Sequence, residues 1–404
     1  MFPSVKEQLY LISKNTVELI PLDELEQKLD SSLKKNTPLT IKLGCDPSRP
    51  DLHIGHGVVL QKLRDFQDLG HKAVLIIGDF TAMIGDPSGR NKTRPPLSLD
   101  ETRINGQTYF EQASKILSEK NLEIKYNSEW LDKMNFSEVI KLASNYTVAR
   151  MLERDDFEKR FKSDAPISMH ELLYPLSQAM DSVAIKADVE LGGTDQKFNL
   201  LVGRDIQTAY GLEPQCIITM ELLEGTDGIE KMSKSLNNAI CFTDTPNEIF
   251  GKTMSIPDPL IYKYFKLCTD ISSSGLQTLK EQLTSESVNP RDLKVKLAQM
   301  LVKKYYDKAS AEKALEDFEK VFKKKEIPDD IAIYELTSPE IKLTVLMKEA
   351  GLVKSTSEAS RLIDGGGVSI DSQKIHDKNL VIKNDSEFVI KAGKRKFVRI
   401  VPKK

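Results

Sequence analysis

The chain has 404 residues, enough for two or three domains, and its 40% hydrophobic and 29% charged composition excludes global disorder. Its apolar runs are far shorter than the roughly 20 residues a membrane helix needs, and the polar start around Lys6 and Glu7 predicts no secretory signal. Four scattered cysteines, Cys45, Cys216, Cys241 and Cys268, form no C-x-x-C pair, which argues against a zinc site or disulfide frame and for a reducing cytoplasm. The net charge of −2 is uneven: residues 342–404 hold 14 basic and 7 acidic side chains, +7, leaving −9 for the first 341. Such a tail fits either a polyanion partner or a solvated lysine-rich surface.

In chain order, residues 39–45 read as a strand. Pro47 and Pro50 keep the following loop from being helical. Val59, Leu60, Leu63, Phe66 and Leu69 fall at helical spacing over 56–69, and Gly70 ends the run. Residues 73–77 form a buried strand, so the order is strand, helix, strand, a parallel βαβ unit of an α/β domain. Long helical patterns are expected at 131–152 and 172–186, and a short strand at 216–220. After Ile240 the chain turns helical and lysine-rich, with amphipathic stretches at 293–306 and 309–322. Residues 323–330 read as a linker. A small α+β module closes the chain, with a helix at 342–350 ending at Gly351. A second helix opens on the capping box Ser355-Thr-Ser-Glu358 and runs through Ile363. Gly365-Gly-Gly367 breaks it before alternating segments at 368–370 and 388–390.

Two constellations carry chemistry. His53-Ile-Gly-His56 sits where a loop becomes a helix, and a helix N-terminus offers free N–H groups and a positive dipole end to a phosphate. Two imidazoles add donors, and Gly55 lets a planar base lie against the backbone. Taken alone, these are equally two histidines capping a surface helix. Lys231-Met-Ser-Lys-Ser235 follows 178 positions after His53. Two lysines three apart beside small hydroxyl residues form a cationic clamp for charge developing on a transferred phosphate. A lone lysine pair is usually a solvated loop; both motifs in this order leave that reading little room.

These motifs resemble those of the class I aminoacyl-tRNA synthetases, and within them the bacterial tyrosyl branch. The resemblance rests on Gly44-Cys-Asp-Pro-Ser-Arg-Pro-Asp-Leu-His-Ile-Gly-His56, Ile84-Gly-Asp-Pro-Ser-Gly-Arg90, Tyr174-Pro-Leu-Ser-Gln-Ala-Met-Asp181, Gly192-Gly-Thr-Asp-Gln196 and the lysine loop. It implies a Rossmann-like parallel-sheet catalytic domain over 1–240, with a helical insertion at about 115–190 that forms a dimer interface. A helical tRNA-binding domain at 241–330, a linker at 331–341 and an RNA-binding domain at 342–404, like that of ribosomal protein S-four, complete the expected organisation. The implied activity is ligation of tyrosine to its tRNA at the expense of ATP with Mg2+, with no protein-ligated metal, by a cytoplasmic homodimer that needs no membrane. A tryptophanyl enzyme and a non-catalytic synthetase-like RNA-binding protein are the alternatives.

Adenylation needs no protein nucleophile, because the substrate carboxylate attacks the α-phosphate. The protein has to orient the reactants and stabilise the departing pyrophosphate. The resemblance gives that work to His53, His56, Lys231 and Lys234, with Arg90 and Arg94 on a second polar loop holding pyrophosphate. It adds Gly55, Gly193, Asp195, Ser233 and Ser235 around ATP. Tyr174, Gln178 and Asp181 recur at i, i+4 and i+7 on one helix face. By resemblance Tyr174 and Gln178, helped by Asp86, meet the α-amino group, Asp181 accepts the phenol O–H, and Asp46 and Gln196 line the same pocket. Arg361, Lys394, Arg395, Lys396 and Arg399 are the expected RNA contacts. Lys42 stands where many tyrosyl enzymes place a phenol-contacting tyrosine, and with the lysine-loop spelling this points to a second bacterial subtype.

Overall fold

The computed structural model describes residues 2–47, 51–86, 99–285, 287–320, 331–371, 373–393 and 396–402. They fall into two compact units, Met1–Asp307 and Lys308–Lys404. The first therefore continues past the expected boundary at 240, through the helices Pro246–Met254, Ile261–Cys268, Ser273–Thr284 and Pro290–Tyr305. The helix Lys308–Glu319 goes with the second unit.

The first unit is built on six strands, β1 (Thr16–Ile20), β2 (Thr40–Cys45), β3 (Lys72–Ile77), β4 (Leu122–Tyr126), β5 (Val189–Gly193) and β6 (Cys216–Met220), in the order β1-β6-β5-β2-β3-β4. All neighbours are parallel except β1, which runs antiparallel to β6. Strands covered on both faces read as continuous apolar runs, which is why β3 and β6 are evident in the sequence. From β2 the chain crosses to β3 through the helix Ile54–Asp68, while β5 lies on the other side of β2. The C-terminal ends of β2 and β5 thus flank a point where the winding reverses, and such sheets hold ligands there.

The helix Ile54–Asp68 buries Ile54, Val58, Leu60, Leu63 and Phe66 on one stripe. It stops before Gly70, whose φ of +97° suits a residue without a Cβ. The helix Met169–Ile185 opens on Ser168 with a capping box to Glu171 and closes on Lys186 in the left-handed region. The single helix expected at 131–152 is instead three pieces, Ser128–Leu131, Phe136–Ala143 and Val148–Met151. Asn135 and Thr147 accept from backbone N–H groups three residues on, and each restarts the chain as a new helix.

In the second unit β7 (Ala332–Leu336), β8 (Glu340–Lys342), β9 (Val368–Ile370), β10 (Gln373–Lys374), β11 (Val381–Lys383), β12 (Phe388–Ala392) and β13 (Lys396–Pro402) form a five-stranded sheet, β10-β9-β12-β13-β7, and a separate β11-β8 pair. The helices Leu343–Glu349 and Thr356–Asp364 close its core around Leu343, Leu346, Met347, Ala359, Ile363, Ile390 and Ile400. The expected linker at 331–341 is a correction: β7 pairs in parallel with β13, and β8 begins inside it. The linker read at 323–330 lies outside the described residues. The expected capping box at Ser355 forms by half. Ser355 Oγ accepts from Glu358 N–H at 3.2 Å, but the Glu358 carboxylate accepts from Lys354 N–H at 2.8 Å.

Candidate active site

His53 caps the helix Ile54–Asp68, and its backbone N–H donates to His56 Nδ1 at 3.2 Å. The segment after the lysine loop returns to hold this corner. Ile54 N–H donates to Ile240 O and Phe242 N–H to Leu52 O, each at 3.0 Å. The two imidazoles stack with centroids 3.8 Å apart. Burial, and then the neighbouring cationic Lys231, pull His56 down to about 4. Burial, His56 and Lys231 hold His53 well below its ordinary value. Both rings are therefore neutral at pH 7 and act as hydrogen-bonding groups rather than charges. His53 Nδ1 is buried without a partner. A Cβ at Gly55 would lie 3.0 Å from that nitrogen, tight enough to press on the ring.

Opposite the histidines, Lys231 Nζ pairs with Asp195 Oδ2 at 2.8 Å, and Lys234 pairs with Asp51. The other oxygen of Asp51 accepts from Thr243 Oγ1 at 2.9 Å. Buried Met232 anchors the loop, and Asn238 Oδ1 accepts from Ser233 N–H at 2.7 Å. Ser233 and Ser235 hydroxyls lie 2.8 Å apart. At Gly193 a Cβ would come within 2.6 Å of Asp195 Oδ1, so the strand end stays bare beside the carboxylate.

Deeper in, Tyr174 Oη donates to Asp46 Oδ2 at 2.8 Å, and Thr81 Oγ1 donates to Asp46 Oδ1 at 2.7 Å. Burial first, then Asp46 and Asp86, raise the Tyr174 phenol well above its ordinary value. Asp86 accepts from Gln196 Nε2 at 3.0 Å and pairs with Arg154 at 3.3 Å. Gln178 Oε1 accepts from Asn199 Nδ2 at 3.1 Å. Asp181 accepts from Trp130 Nε1 at 2.9 Å and from Asn127 Nδ2 at 3.5 Å. Burial pushes the Asp181 carboxyl up to about 7 against the opposing pull of Lys42 and of the Trp130 and Asn127 donors; Glu190 adds to the rise.

These groups line one cavity of about 540 Å³ at the C-terminal ends of β2 and β5. It brings together Asp46, His53, Gly55, His56, Asp86, Tyr174, Gln178, Asp181, Gly193, Asp195, Gln196, Lys231, Ser233, Lys234 and Ser235, every expected pocket residue among those described. Arg90 and Arg94, and of the tail residues Lys394 and Arg395, lie outside the described residues. In the second unit Arg361 is exposed on its helix, Lys396 donates to Leu352 O at 2.7 Å, and Arg399 pairs with Glu387 at 2.8 Å. Among the described residues no three His, Cys, Asp or Glu side chains gather as a metal site, and no helix is long and apolar enough to cross a membrane.

Sequence reasoning missed Asp51, Thr81, Asn127, Trp130, Arg154, Glu190 and Asn199. Trp130 is the only tryptophan of the chain, and Glu190 is a charge inside an apolar strand. Both were available as signals. Lys42 does not line the cavity; it is fully buried beneath it and paired with Glu190.

A histidine pair at a helix start and a two-lysine loop, facing each other across the switch point of a parallel sheet, define a nucleotide-activating α/β enzyme. Residues 34–323 match the family model for tRNA synthetases class I (W and Y), and the chain belongs to that family. It is 57% identical over 401 residues to a tyrosine–tRNA ligase of Chlorobaculum tepidum, covering 99% of this chain and 98% of the relative. A tyrosine–tRNA ligase of Thermotoga maritima is 55% identical over 395 residues, covering 98% and 97%. Among the class I enzymes, the chain belongs with the tyrosine–tRNA ligases. The fold is shared with the tyrosyl-tRNA synthetase of Archaeoglobus fulgidus at a TM-score of 0.64 and 23% identity, over 77% of this chain and 100% of that one.

Proposed function

We propose that this single cavity runs both steps of tyrosine–tRNA ligation. The tyrosine carboxylate attacks the α-phosphorus of ATP, the bond to the β-phosphate breaks and pyrophosphate leaves; a ribose hydroxyl at the 3′ end of tRNA then attacks the carbonyl and AMP leaves. The observation that carries this reading is the continuity of the cavity from the histidine–lysine mouth to Asp181 with its Trp130 donor. His53 and His56 donate to phosphate oxygens. Lys231 and Lys234 exchange Asp195 and Asp51 for the charge that grows on pyrophosphate. Gly55 and Gly193 leave room for the nucleotide, with Asp195, Ser233 and Ser235 along it. Tyr174, Gln178, Asp86, Asp46 and Gln196 bind the amino-acid end, Asp181 takes the phenol, and Arg90 and Arg94 hold pyrophosphate. Magnesium would arrive on the ATP phosphates, and no protein ligand is assigned to it. Pyrophosphate exchange measured with each amino acid tests the reading. Tyrosine alone should support it; exchange with tryptophan instead, or with none, would favour a tryptophanyl enzyme or a non-catalytic RNA-binding protein.

The Asp181 carboxyl, up at about 7, makes tyrosine capture pH-sensitive. Below that pH the free site holds a protonated Asp181, which has lost its charge as an acceptor for the phenol O–H. The KM for tyrosine is therefore expected to rise as pH falls through about 7, and Asp181→Asn should remove that limb. A pH profile of kcat/KM with no inflection there would refute the assignment.

The basic second unit supplies the tRNA grip, through Arg361, Lys394, Arg395, Lys396 and Arg399. A chain ending at Asp307, the limit of the first compact unit, should exchange pyrophosphate at close to the full rate but charge tRNA poorly, with a flatter salt dependence of tRNA binding. An end near Ser338 would instead leave β7 without its partner β13. Full charging by the shortened chain would make the tail a mere solubility element. The reading also makes the enzyme a cytoplasmic homodimer, checked by fractionation and light scattering. Exposed Phe136, Ile140, Val148, Phe161 and Met169 on the inserted helices support the dimer.

A further inference from the structure

Lys42 and Glu190 are opposite charges at matched positions of two adjacent parallel strands, β2 and β5. Both are buried and both bond to Gln178, which lines the cavity. Lys42 Nζ spends all three donors, on Glu190 Oε1 at 2.8 Å, Ser182 Oγ at 2.7 Å and Gln178 O at 2.9 Å. Glu190 Oε1 also accepts from Gln178 Nε2 at 3.2 Å, and its Oε2 accepts from Ser182 Oγ at 3.1 Å and from Gln215 Nε2. A buried ion pair is weak evidence for stability, because the cost of desolvating two charges offsets much of their attraction. A buried ion pair kept under a binding site asks for a role at that site.

We propose that the Lys42–Glu190 pair is a positioning element that fixes which end of the Gln178 side-chain amide faces the substrate. The inference rests on the reading of Gln178 as a partner of the tyrosine ammonium. An amide can turn over and exchange its carbonyl for its NH2 at little steric cost. Here the turn is decided by the neighbours. A carboxylate only accepts, so Glu190 takes the Gln178 NH2; Asn199 Nδ2 donates at 3.1 Å, so it takes the carbonyl. Gln178 lines the cavity, and its oxygen keeps a second lone pair for a cationic donor. Turned over, Gln178 would offer an N–H to an ammonium. Lys42 completes the device: its ammonium pairs with the same Glu190 Oε1 that accepts from Gln178 Nε2 and so holds that oxygen under the amide.

The test compares two ligands on the full-length protein. L-Tyrosine carries the ammonium; 3-(4-hydroxyphenyl)propanoate keeps the phenol and carboxylate and lacks it. Lys42→Met/Glu190→Gln is neutral and close in volume, and it puts an amide that can donate or accept beneath Gln178. Measured well above pH 7, where Asp181 is ionised, loss of one charge-assisted hydrogen bond is expected to raise the KM for tyrosine by about ten- to one-hundredfold, with kcat for pyrophosphate exchange little changed and the inhibition constant of the propanoate unchanged. Equal weakening of both ligands, or no change for tyrosine, overturns the proposal. Gln178→Ala is measured beside it. If that variant leaves the tyrosine KM intact, the ammonium reading itself fails. If it raises the KM while the double variant does not, the reading stands and the pair is only structural. Should the double variant not fold, Ser182→Ala removes one hydroxyl of the network and no charge. It should show the same selectivity at about two- to fivefold, and its absence would count against the proposal equally.

Discussion

Asp181→Ala is expected to erase most of the preference for tyrosine over phenylalanine. The site presents a buried acceptor already oriented by Trp130 Nε1 at 2.9 Å. Phenylalanine displaces water from the carboxylate's remaining lone pairs and brings no donor to replace it, and that loss costs far more than a lost methylene. Tyrosyl enzymes as a class reject phenylalanine in this way by roughly 10⁵-fold. Removing the carboxylate deletes the penalty, because no acceptor remains to be stranded. The ratio of kcat/KM for the two amino acids in pyrophosphate exchange reads it directly. An unchanged ratio would mean that Asp181 does not meet the phenol.

Lys234→Ala is expected to slow adenylate formation by about 10²- to 10³-fold, the usual cost of removing one preorganised partner of transition-state charge. The KM for tyrosine should hardly move, because the lysine is held by Asp51 and shares no partner with Asp181, which Trp130 and Asn127 hold, and it gains its new anionic partner as the α–β phosphate bond breaks. That ammonium is paired with Asp51, which ties the loop down. Single-turnover kinetics separate the two steps. An activation rate constant equal to wild type would remove Lys234 from the mechanism.

Some of this was legible from local pattern alone. A continuous apolar run is the signature of a strand covered on both faces, so β3 and β6 were plain. The stripe that buries Leu60, Leu63 and Phe66 could only be a helix packed on one side. Tyr174, Gln178 and Asp181 share a helix face by period, and all three line the cavity. Other features were not legible, because what decides them is distant in the chain. β1 looks like nothing in particular until it meets β6, some two hundred residues on. The expected helix at 131–152 failed at Asn135 and Thr147, where side chains compete for the backbone that periodicity alone would keep helical.

The five ordered motifs fixed the chemistry, since phosphate activation needs donors and cations of those kinds, and their order constrains where a sheet can carry them. Lys42 marks the other side of the division. In Ile41-Lys42-Leu43 it stands, by resemblance, in the place of a phenol-contacting tyrosine. Only the register of β2 on β5 sets it beside Glu190, and only the helix Met169–Ile185 above them removes both from water. A charge is tolerated in such a place when its partner and every donor and acceptor are supplied, and those come from strands and a helix that the sequence separates by more than a hundred residues.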